Sequence, residues 1–264
     1  MSGTVYLVGA GPGAPDLLTL RAARLLDEAE VVFFDALVHP QTCALAHQAR
    51  QVYVGKRGGM HSVSQADLNS ALIAAARRHR VVVRLKGGDP LLFGRAQEEL
   101  DALRAVGIAC EVVPGVTAAS AAAAELGVSL TRRGVARSVV FVTPSVGDGE
   151  IDGDWAASVL AADTAALYMA AGQASWITST LLARGMRADT PVALVEEASL
   201  SGARAERGVL AHLPQMAATR GAGPSLILIG QVFEVPAAVL DNPRSWAAAA
   251  PLHQRSASLA VGLG

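Results

Sequence analysis

The stretch V5-Y-L-V-G-A-G-P-G-A-P-D16 runs from a short, β-branched apolar segment into glycines and prolines just ahead of a helix-like sequence. Strand, glycine turn and helix in that order point to an α/β protein, and two readings of the turn compete. Gly9, Gly11 and Ala14 satisfy the G-x-G-x-x-G/A pattern of a dinucleotide site. In such a site the helix begins inside the motif, so that its first N–H groups hold a pyrophosphate. Pro12 and Pro15 each delete one of those donors. A stiff loop poor in amides suits the flat or apolar parts of a ligand better than a phosphate. That leaves a phosphate-free nucleoside or a purely structural turn.

Outward from this turn, short β-branched runs recur at 31–34, 81–85, 139–142, 166–169, 192–195 and 226–229, separated by stretches of helical period. The alternation predicts an α/β fold with a largely parallel sheet. Leu18, Ala22, Leu25, Leu26 and Ala29 keep the spacing of one helix face, with Pro15 expected in its first turn. Ser64, with Asp67 at the capping-box position, predicts a second helix whose Leu68, Leu72 and Ile73 face a core. An alanine-rich helix is expected over 117–126. The segment 127–137 is rich in arginine and glycine and lacks apolar periodicity, which suggests a domain joint. The expected organisation is therefore an N-terminal domain at 1–132 and a C-terminal domain at 133–236 meeting across a cleft. Residues 237–264, without strand or helix period, read as a partly disordered tail.

The 264 residues suffice for one large α/β domain or two small ones. Hydrophobic residues make up 52% and aromatic residues 4%, so the apolar content is mostly alanine, leucine and valine, which suits helices packed on a buried sheet. A formal net charge of -1 at pH 7 gives no strongly basic face for nucleic acid. Cys43 and Cys110 show no CxxC spacing and read as structural, reduced thiols. No uninterrupted apolar run reaches the ~18 residues of a membrane span, and no basic-then-apolar leader opens the sequence. A cytoplasmic protein without membrane contact is expected.

Two further glycine clusters, G55-K-R-G-G59 and L85-K-G-G-D-P-L-L-F-G-R95, each follow a strand-like run, where open α/β sheets place ligands. In the second cluster Gly87 and Gly88 let backbone approach a ligand closely, and Asp89 can accept from ribose hydroxyls or a cationic amine. Arg95 and Glu98 sit three residues apart, which fits either a surface ion pair or a functional pair. Asp35, after the run at 31–34, reads as an acid able to supply the ribose carboxylate of a dinucleotide site or as a cap before Ala36.

Taken together, VGAGPG, GKRGG, RLKGGDPLLFGR, VPGVTAA, LTRR, YMA and PSLILIGQVF stand in the order and approximate spacing of the tetrapyrrole methylases. The sequence resembles that family, and within it the uroporphyrinogen-III C-methyltransferases, over roughly residues 3 to 233. The resemblance implies two α/β domains with the active site in the cleft between them, a homodimer, and S-adenosylmethionine in a folded pose, outside any Rossmann groove. It further implies that the opening turn forms a wall near cofactor and substrate. The family's cofactor contacts fall on Pro12, Gly87, Gly88, Asp89, Thr117, Ala118, Met169, Ala198 and the 224–226 stretch with Ser225. Met169 is expected at the end of the 166–169 strand.

The implied reaction moves two methyl groups, one per cofactor, to C2 and C7 of uroporphyrinogen III. It yields precorrin-2 for sirohaem or cobalamin synthesis and S-adenosylhomocysteine as by-product, without a metal. The six histidines show no HxxxH or HExxH spacing. Arginine suits the carboxylates on the substrate rim, which makes Arg95, Arg133, Lys56 and Arg57 the candidate rim ligands. By resemblance Arg95 and Glu98 lie beside the macrocycle, and Asp35 hydrogen-bonds pyrrole N–H groups.

The sequence departs from the family's usual pattern at Ala14, where an aspartate is frequent, at Arg132 in LTRR, at Pro144 and at Glu197, where asparagine is typical. The departures touch the substrate-facing loops more than the cofactor wall. A later cobalamin-pathway methylase of the same fold and a non-catalytic S-adenosylmethionine sensor are the competing readings. The length leaves no room for the dehydrogenase and ferrochelatase portions fused to this methylase in some organisms, so the expected product is precorrin-2.

Overall fold

Thr4–Gly9, a run of β-branched and apolar residues, forms the first strand, β1, and is buried along most of its length. The computed structural model describes residues 2–55, 63–145 and 153–234. The candidates Lys56 and Arg57 and the expected tail at 237–264 lie outside the described residues.

The chain divides into two compact units, one ending at Ala121 and the other beginning at Ala122. In the first, β1 is followed by α1 (Leu20–Glu28), β2 (Val31–Phe34), α2 (Pro40–Ala44), β3 (Arg50–Tyr53), α3 (Gln65–Ala76), β4 (Val81–Lys86), α4 (Ala96–Ala105) and β5 (Ala109–Val113). The strands form one sheet in the order β3-β2-β4-β1-β5, with every pairing parallel. Pleating sends alternate residues to opposite faces. Val5, Leu7, Val31, Phe33 and Val82 pack against Leu68 and Leu72 of α3 and Leu100 and Leu103 of α4. Val8, Val32, Val83 and Leu85 pack against Ala22 and Leu26 of α1 and Cys43 of α2. Truncating a side chain such as the fully buried Leu72 to alanine costs about 2–5 kcal/mol.

Local chemistry sets the helix starts. Pro15 was expected in the first turn of α1 but belongs to a separate 3-10 turn, Pro15–Leu17. The helix begins later because the Thr19 hydroxyl accepts the Ala22 amide at 3.1 Å and caps it. Ser64 caps α3 as its position predicts, its Oγ accepting the Asp67 amide at 3.1 Å, while Asp67 turns its Oδ2 to the Ser64 hydroxyl, which donates to it at 2.7 Å.

The helix α5 (Ala118–Leu126) spans the division between the units. It is followed by β6 (Val139–Val142), α6 (Trp155–Ala161), β7 (Thr164–Leu167), α7 (Ala174–Ala183), β8 (Pro191–Glu196), β9 (Arg204–Val209), α8 (Leu213–Ala218) and β10 (Ser225–Gly230). The second sheet runs β6-β7-β10-β8-β9. Here the expectation of largely parallel strands fails. Only β6 and β7 pair in parallel, while β10 is antiparallel to both β7 and β8, and β8 is antiparallel to β9. The cause is the direct hairpin from β8 to β9, which needs no crossover helix and reverses the chain before β10. The second strand of this unit, β7, also corrects an expectation: it ends at Leu167, and Met169 lies in the turn beyond it at φ 54°.

Candidate active site

The direction of each crossover determines where the first sheet opens. From β2 the chain moves outward to β3 through α2, on the face carrying Val8 and Leu85. From β4 it moves the opposite way, over β1 to β5, through α4 on the other face. Between β2 and β4 the outgoing loops therefore part, at the carboxyl edge, and that crevice is where open α/β sheets bind ligands. Asp35 closes β2 and Gly87 follows β4, so both flank the opening. A Cβ on Gly87 would stand 2.7 Å from Leu37 Cβ, so that close approach demands glycine.

The glycine turns after β1, β4 and β5 interlock through backbone. Gly11 donates its amide to Gly88 O at 3.3 Å, and Gly88 returns the bond to Gly11 O at 2.7 Å. Both residues have positive φ, +74° and +66°, which glycine adopts without strain. Gly9 lies against Gly115: a Cβ on Gly9 would be 2.6 Å from Gly115 Cα. Asp89 completes the join, accepting the Leu91 amide at 2.8 Å and the Gly115 amide at 3.0 Å with different oxygens. The Thr117 carbonyl then accepts the Ser120 and Ala121 amides at the start of α5. The structure thus brings Pro12, Gly87, Gly88, Asp89, Thr117 and Ala118 onto one edge of the first unit.

Beneath that edge lies a buried charge cluster that the sequence reading missed. Glu99 is completely buried, and Lys86 Nζ donates to its two oxygens at 2.9 and 3.0 Å. The Arg84 guanidinium donates from Nε to Glu99 at 3.3 Å, from Nη1 to Leu85 O at 2.8 Å and from Nη2 to Asp35 Oδ2 at 3.0 Å. The other Asp35 oxygen accepts the Leu37 amide at 3.1 Å, so Asp35 shapes the turn without capping a helix. Burial lowers the Lys86 pKa, and the neighbouring Arg84 charge adds to that, while Glu99 and Asp35 work in the opposite direction. With two cations and two carboxylates the cluster is neutral when all four are ionised. Removing one member of such a buried pair typically costs 3–5 kcal/mol. A signal for it existed in V-V-V-R-L-K: two cations on one face of a central strand require a buried anion.

Above the cluster the loop 93–95 is tightly constrained. Phe93 and Arg95 both have φ 54°, and Gly94 between them passes over the Lys86 stem, with its Cβ position 3.2 Å from Lys86 Cε. Arg95 directly precedes α4 and binds Glu98 through two bonds, Nε to Oε1 at 2.7 Å and Nη2 to Oε2 at 2.9 Å. This pair is exposed, at 61% and 46% of the side chains, so its contribution to stability is small. It is accessible to a ligand. The consecutive acids of α4 thus divide their work: Glu98 faces outward to Arg95 and Glu99 inward to the cations.

The remaining candidates fall in the second unit. Because β10 opposes both β7 and β8, the ends of β7 and β8 and the start of β10 share one edge of its sheet. Met169, Ala198 and Ser225 stand there. Ser145 Oγ donates to the Met169 carbonyl at 2.9 Å and accepts from Gln173 at 2.8 Å, holding that turn. Ala198 lies between Glu197 and Ser199, at φ 48° and 76°. Glu197 donates its amide to Pro224 O at 2.9 Å, and Ser199 donates its amide to Glu125 Oε1 at 2.9 Å. Strained backbone of this kind concentrates at ligand sites. The Glu197 carboxylate lies where Cβ atoms on Gly202 and Gly223 would fall, at 2.7 and 2.5 Å, so those two glycines accommodate it. Arg133 is exposed on the turn closed by the Arg132 and Ala136 backbone. Among the described residues no group of three or more His, Cys, Asp or Glu is placed to hold a metal ion, and no helix is long and apolar enough to cross a membrane.

Comparison with known proteins adds relatives to this geometry. The family model of the tetrapyrrole (corrin/porphyrin) methylases matches residues 4–214. A sirohaem synthase of Chromobacterium violaceum is 48% identical over 236 residues, covering 89% of this chain and 50% of its own length. One from Pseudomonas fluorescens is 45% identical, covering 89% and 51%. The chain spans about half the length of these curated relatives. Among solved structures, a uroporphyrin-III C-methyl transferase of Thermus thermophilus complexed with S-adenosylhomocysteine superposes with a TM-score of 0.76 at 40% identity, covering 87% of this chain and 98% of that one. A cobalt precorrin-4 methyltransferase also superposes at 0.76, with 27% identity and coverage of 88% and 96%.

Proposed function

This chain belongs to the tetrapyrrole methylase family, and from that membership we propose that it methylates uroporphyrinogen III at C2 and C7 to give precorrin-2. S-adenosylmethionine is the proposed donor, S-adenosylhomocysteine the by-product. The observation that carries the reading is the interlock of Gly9, Gly11, Gly88, Gly115 and Asp89. It replaces a pyrophosphate turn with a rigid wall of backbone whose amides are already bonded to each other. That wall fits a ligand without phosphates.

Further features favour the same cofactor. A Cβ on Gly88 would meet nothing within 4 Å, which leaves bare backbone open to a ligand. Pro12 presents an apolar ring and no donor. Pro12, Gly87, Gly88, Asp89, Thr117 and Ala118 are the proposed cofactor contacts from residues 1–132, and Met169, Ala198 and Ser225 those from 133–236. S-adenosylmethionine supplies an electrophilic methyl group on a sulfonium.

The chain's own residues have to orient the macrocycle and manage charge. Asp35, fixed by Leu37 and Arg84 and 26% exposed, retains lone pairs for pyrrole N–H groups. Arg95, its guanidinium already set by Glu98, is too basic to remove a proton at neutral pH and is assigned charge stabilisation. Arg133, Lys56 and Arg57 are the proposed ligands for the acetate and propionate rim. A homodimer in the cytoplasm follows from the family resemblance.

The test is anaerobic incubation with enzymatically generated uroporphyrinogen III and methyl-labelled S-adenosylmethionine, followed by mass spectrometry of the oxidised product. A gain of two methyl groups, mapped to C2 and C7, is expected. No methyl gain by protein that binds S-adenosylhomocysteine would overturn the assignment.

A further inference from the structure

Among the described residues, the Arg84 guanidinium connects the fully buried Glu99 to the partly exposed Asp35. We propose that Arg84 is a positioning residue for the reaction: it sets the direction in which the Asp35 carboxylate faces the substrate, and Glu99, itself held by Lys86, and the Leu85 carbonyl keep the guanidinium in place. The proposal rests on the reading that Asp35 receives the pyrrole N–H groups of a tetrapyrrole.

The geometry supports that role over a purely structural one. Arginine presents its donors in a rigid planar fork. Here each edge of the fork is committed: Nε to Glu99, Nη1 to the Leu85 carbonyl, Nη2 to Asp35. The guanidinium cannot turn without breaking a buried bond. Asp35 inherits that fixity, since one oxygen is held by Arg84 and the other by the Leu37 amide. The carboxylate plane is therefore defined before any ligand arrives, and the lone pairs left over point in set directions.

Loss of Arg84 costs the cluster some stability, but it does not leave Glu99 without a cation. Lys86 gives Glu99 two bonds, so Glu99 keeps a partner and its charge stays balanced when Arg84 is removed. Asp35, by contrast, loses its hydrogen-bonded cation but is partly exposed to solvent. Replacing Arg84 with an apolar side chain of similar length should therefore disturb the direction of Asp35 more than the fold. An arginine kept merely to neutralise Glu99 would be redundant beside Lys86.

The test uses Arg84→Met, Asp35→Asn and the double variant of the full chain, with kcat/KM for uroporphyrinogen III and calorimetric affinity for S-adenosylhomocysteine as separate readouts. For Arg84→Met, kcat/KM is expected to fall about tenfold or more, as for loss of a charge-assisted hydrogen bond. S-adenosylhomocysteine affinity should stay within about twofold, since none of the interlocked glycines is touched. In the Asp35→Asn background the same substitution should add less than about a twofold further loss, because Arg84 then has no carboxylate to direct.

Equal losses from Arg84→Met in both backgrounds, or a parallel fall in S-adenosylhomocysteine affinity, would overturn the positioning role while leaving the functional reading intact. Should Arg84→Met fail to fold, Arg84→Lys takes its place. A lysine keeps the charge but cannot reach Glu99 and Asp35 together, so the same pattern of losses is expected in milder form. Normal turnover by Asp35→Asn would remove Asp35 from the site and the proposal with it. Absence of turnover by the unaltered protein would fell the functional reading itself.

Discussion

Asp89 accepts the Gly115 amide at 3.0 Å and thereby ties the loop after β4 to the loop after β5, across β1, which lies between those strands in the sheet. Its second oxygen holds Leu91 in its own loop. One carboxylate thus keeps the two glycine turns in register, and the Gly11–Gly88 exchange forms beside it.

Substitution of Asp89 should therefore weaken cofactor binding first. Asp89→Asn keeps one acceptor and should raise the Kd for S-adenosylhomocysteine about tenfold, and Asp89→Ala, which leaves both amides unpaired, should raise it more. KM for the tetrapyrrole should change far less than the cofactor Kd. Calorimetric titration beside steady-state kinetics separates the two, and equal losses in both would place Asp89 in general scaffolding.

Gly115 tests the interlock itself. A Cβ there would press into the Gly88 carbonyl and stand 2.9 Å from Gly9 Cα, and neither of those backbones can swing aside like a side chain. Gly115→Ala should lower stability by about 1–3 kcal/mol, the usual cost of overpacking. The urea midpoint measures this, and an unchanged midpoint would mean the turns are looser than their geometry.

What the sequence disclosed and what it hid follow physical lines. The central strands β1, β2, β4, β8 and β10 were legible because burial on both faces demands continuous apolar runs. The edge strands β5 and β9 were not read: A-C-E-V-V and R-A-E-R-G-V carry polar residues on their exposed sides, as edges do. Missing β9 concealed the β8–β9 hairpin, and with it the antiparallel half of the second sheet. Composition marks the glycine turns as candidate ligand contacts, but their mutual bonds depend on strand order, which no local pattern reveals. The Arg84–Glu99–Lys86 cluster was overlooked for a related reason, since its members belong to a strand and a helix whose pairing is tertiary.

The two thiols give the fold an alkaline weakness. Burial, with the Asp35 charge adding to it, pushes Cys43 up from its ordinary 9.0 to about 11. Burial and then Glu99 push Cys110 to about 11 as well. Between pH 9 and about 11 the unfolded chain releases thiol protons that the folded chain retains, so stability falls as pH rises through that window. The loss should be about 1–2 kcal/mol per thiol. Urea midpoints measured near pH 8 and near pH 10.5 should diverge less in the Cys43→Ala/Cys110→Ala variant than in the parent. Lys86 titrates in both proteins, so it cancels in the comparison. Equal divergence would assign the alkaline loss to other groups.

Met169 should show a conflict between stability and function. Its backbone lies at φ 54°, a conformation that disfavours side chains bearing a Cβ, yet the residue is 57% exposed and is not part of the core. The Ser145 bond to its carbonyl, itself braced by Gln173, holds the turn in place. Met169→Gly relieves the strain and should raise stability by about 0.5–1 kcal/mol, after allowing for the greater freedom glycine has when unfolded. A strained methionine at this position is explained if its carbonyl and side chain contact the cofactor. The same variant should then bind S-adenosylhomocysteine several-fold more weakly, about 3- to 10-fold for a lost apolar contact. Unfolding curves and calorimetry on one preparation test both halves. Higher stability with undiminished affinity would remove Met169 from the cofactor site, and lower stability would show that the turn prefers its methionine for packing alone.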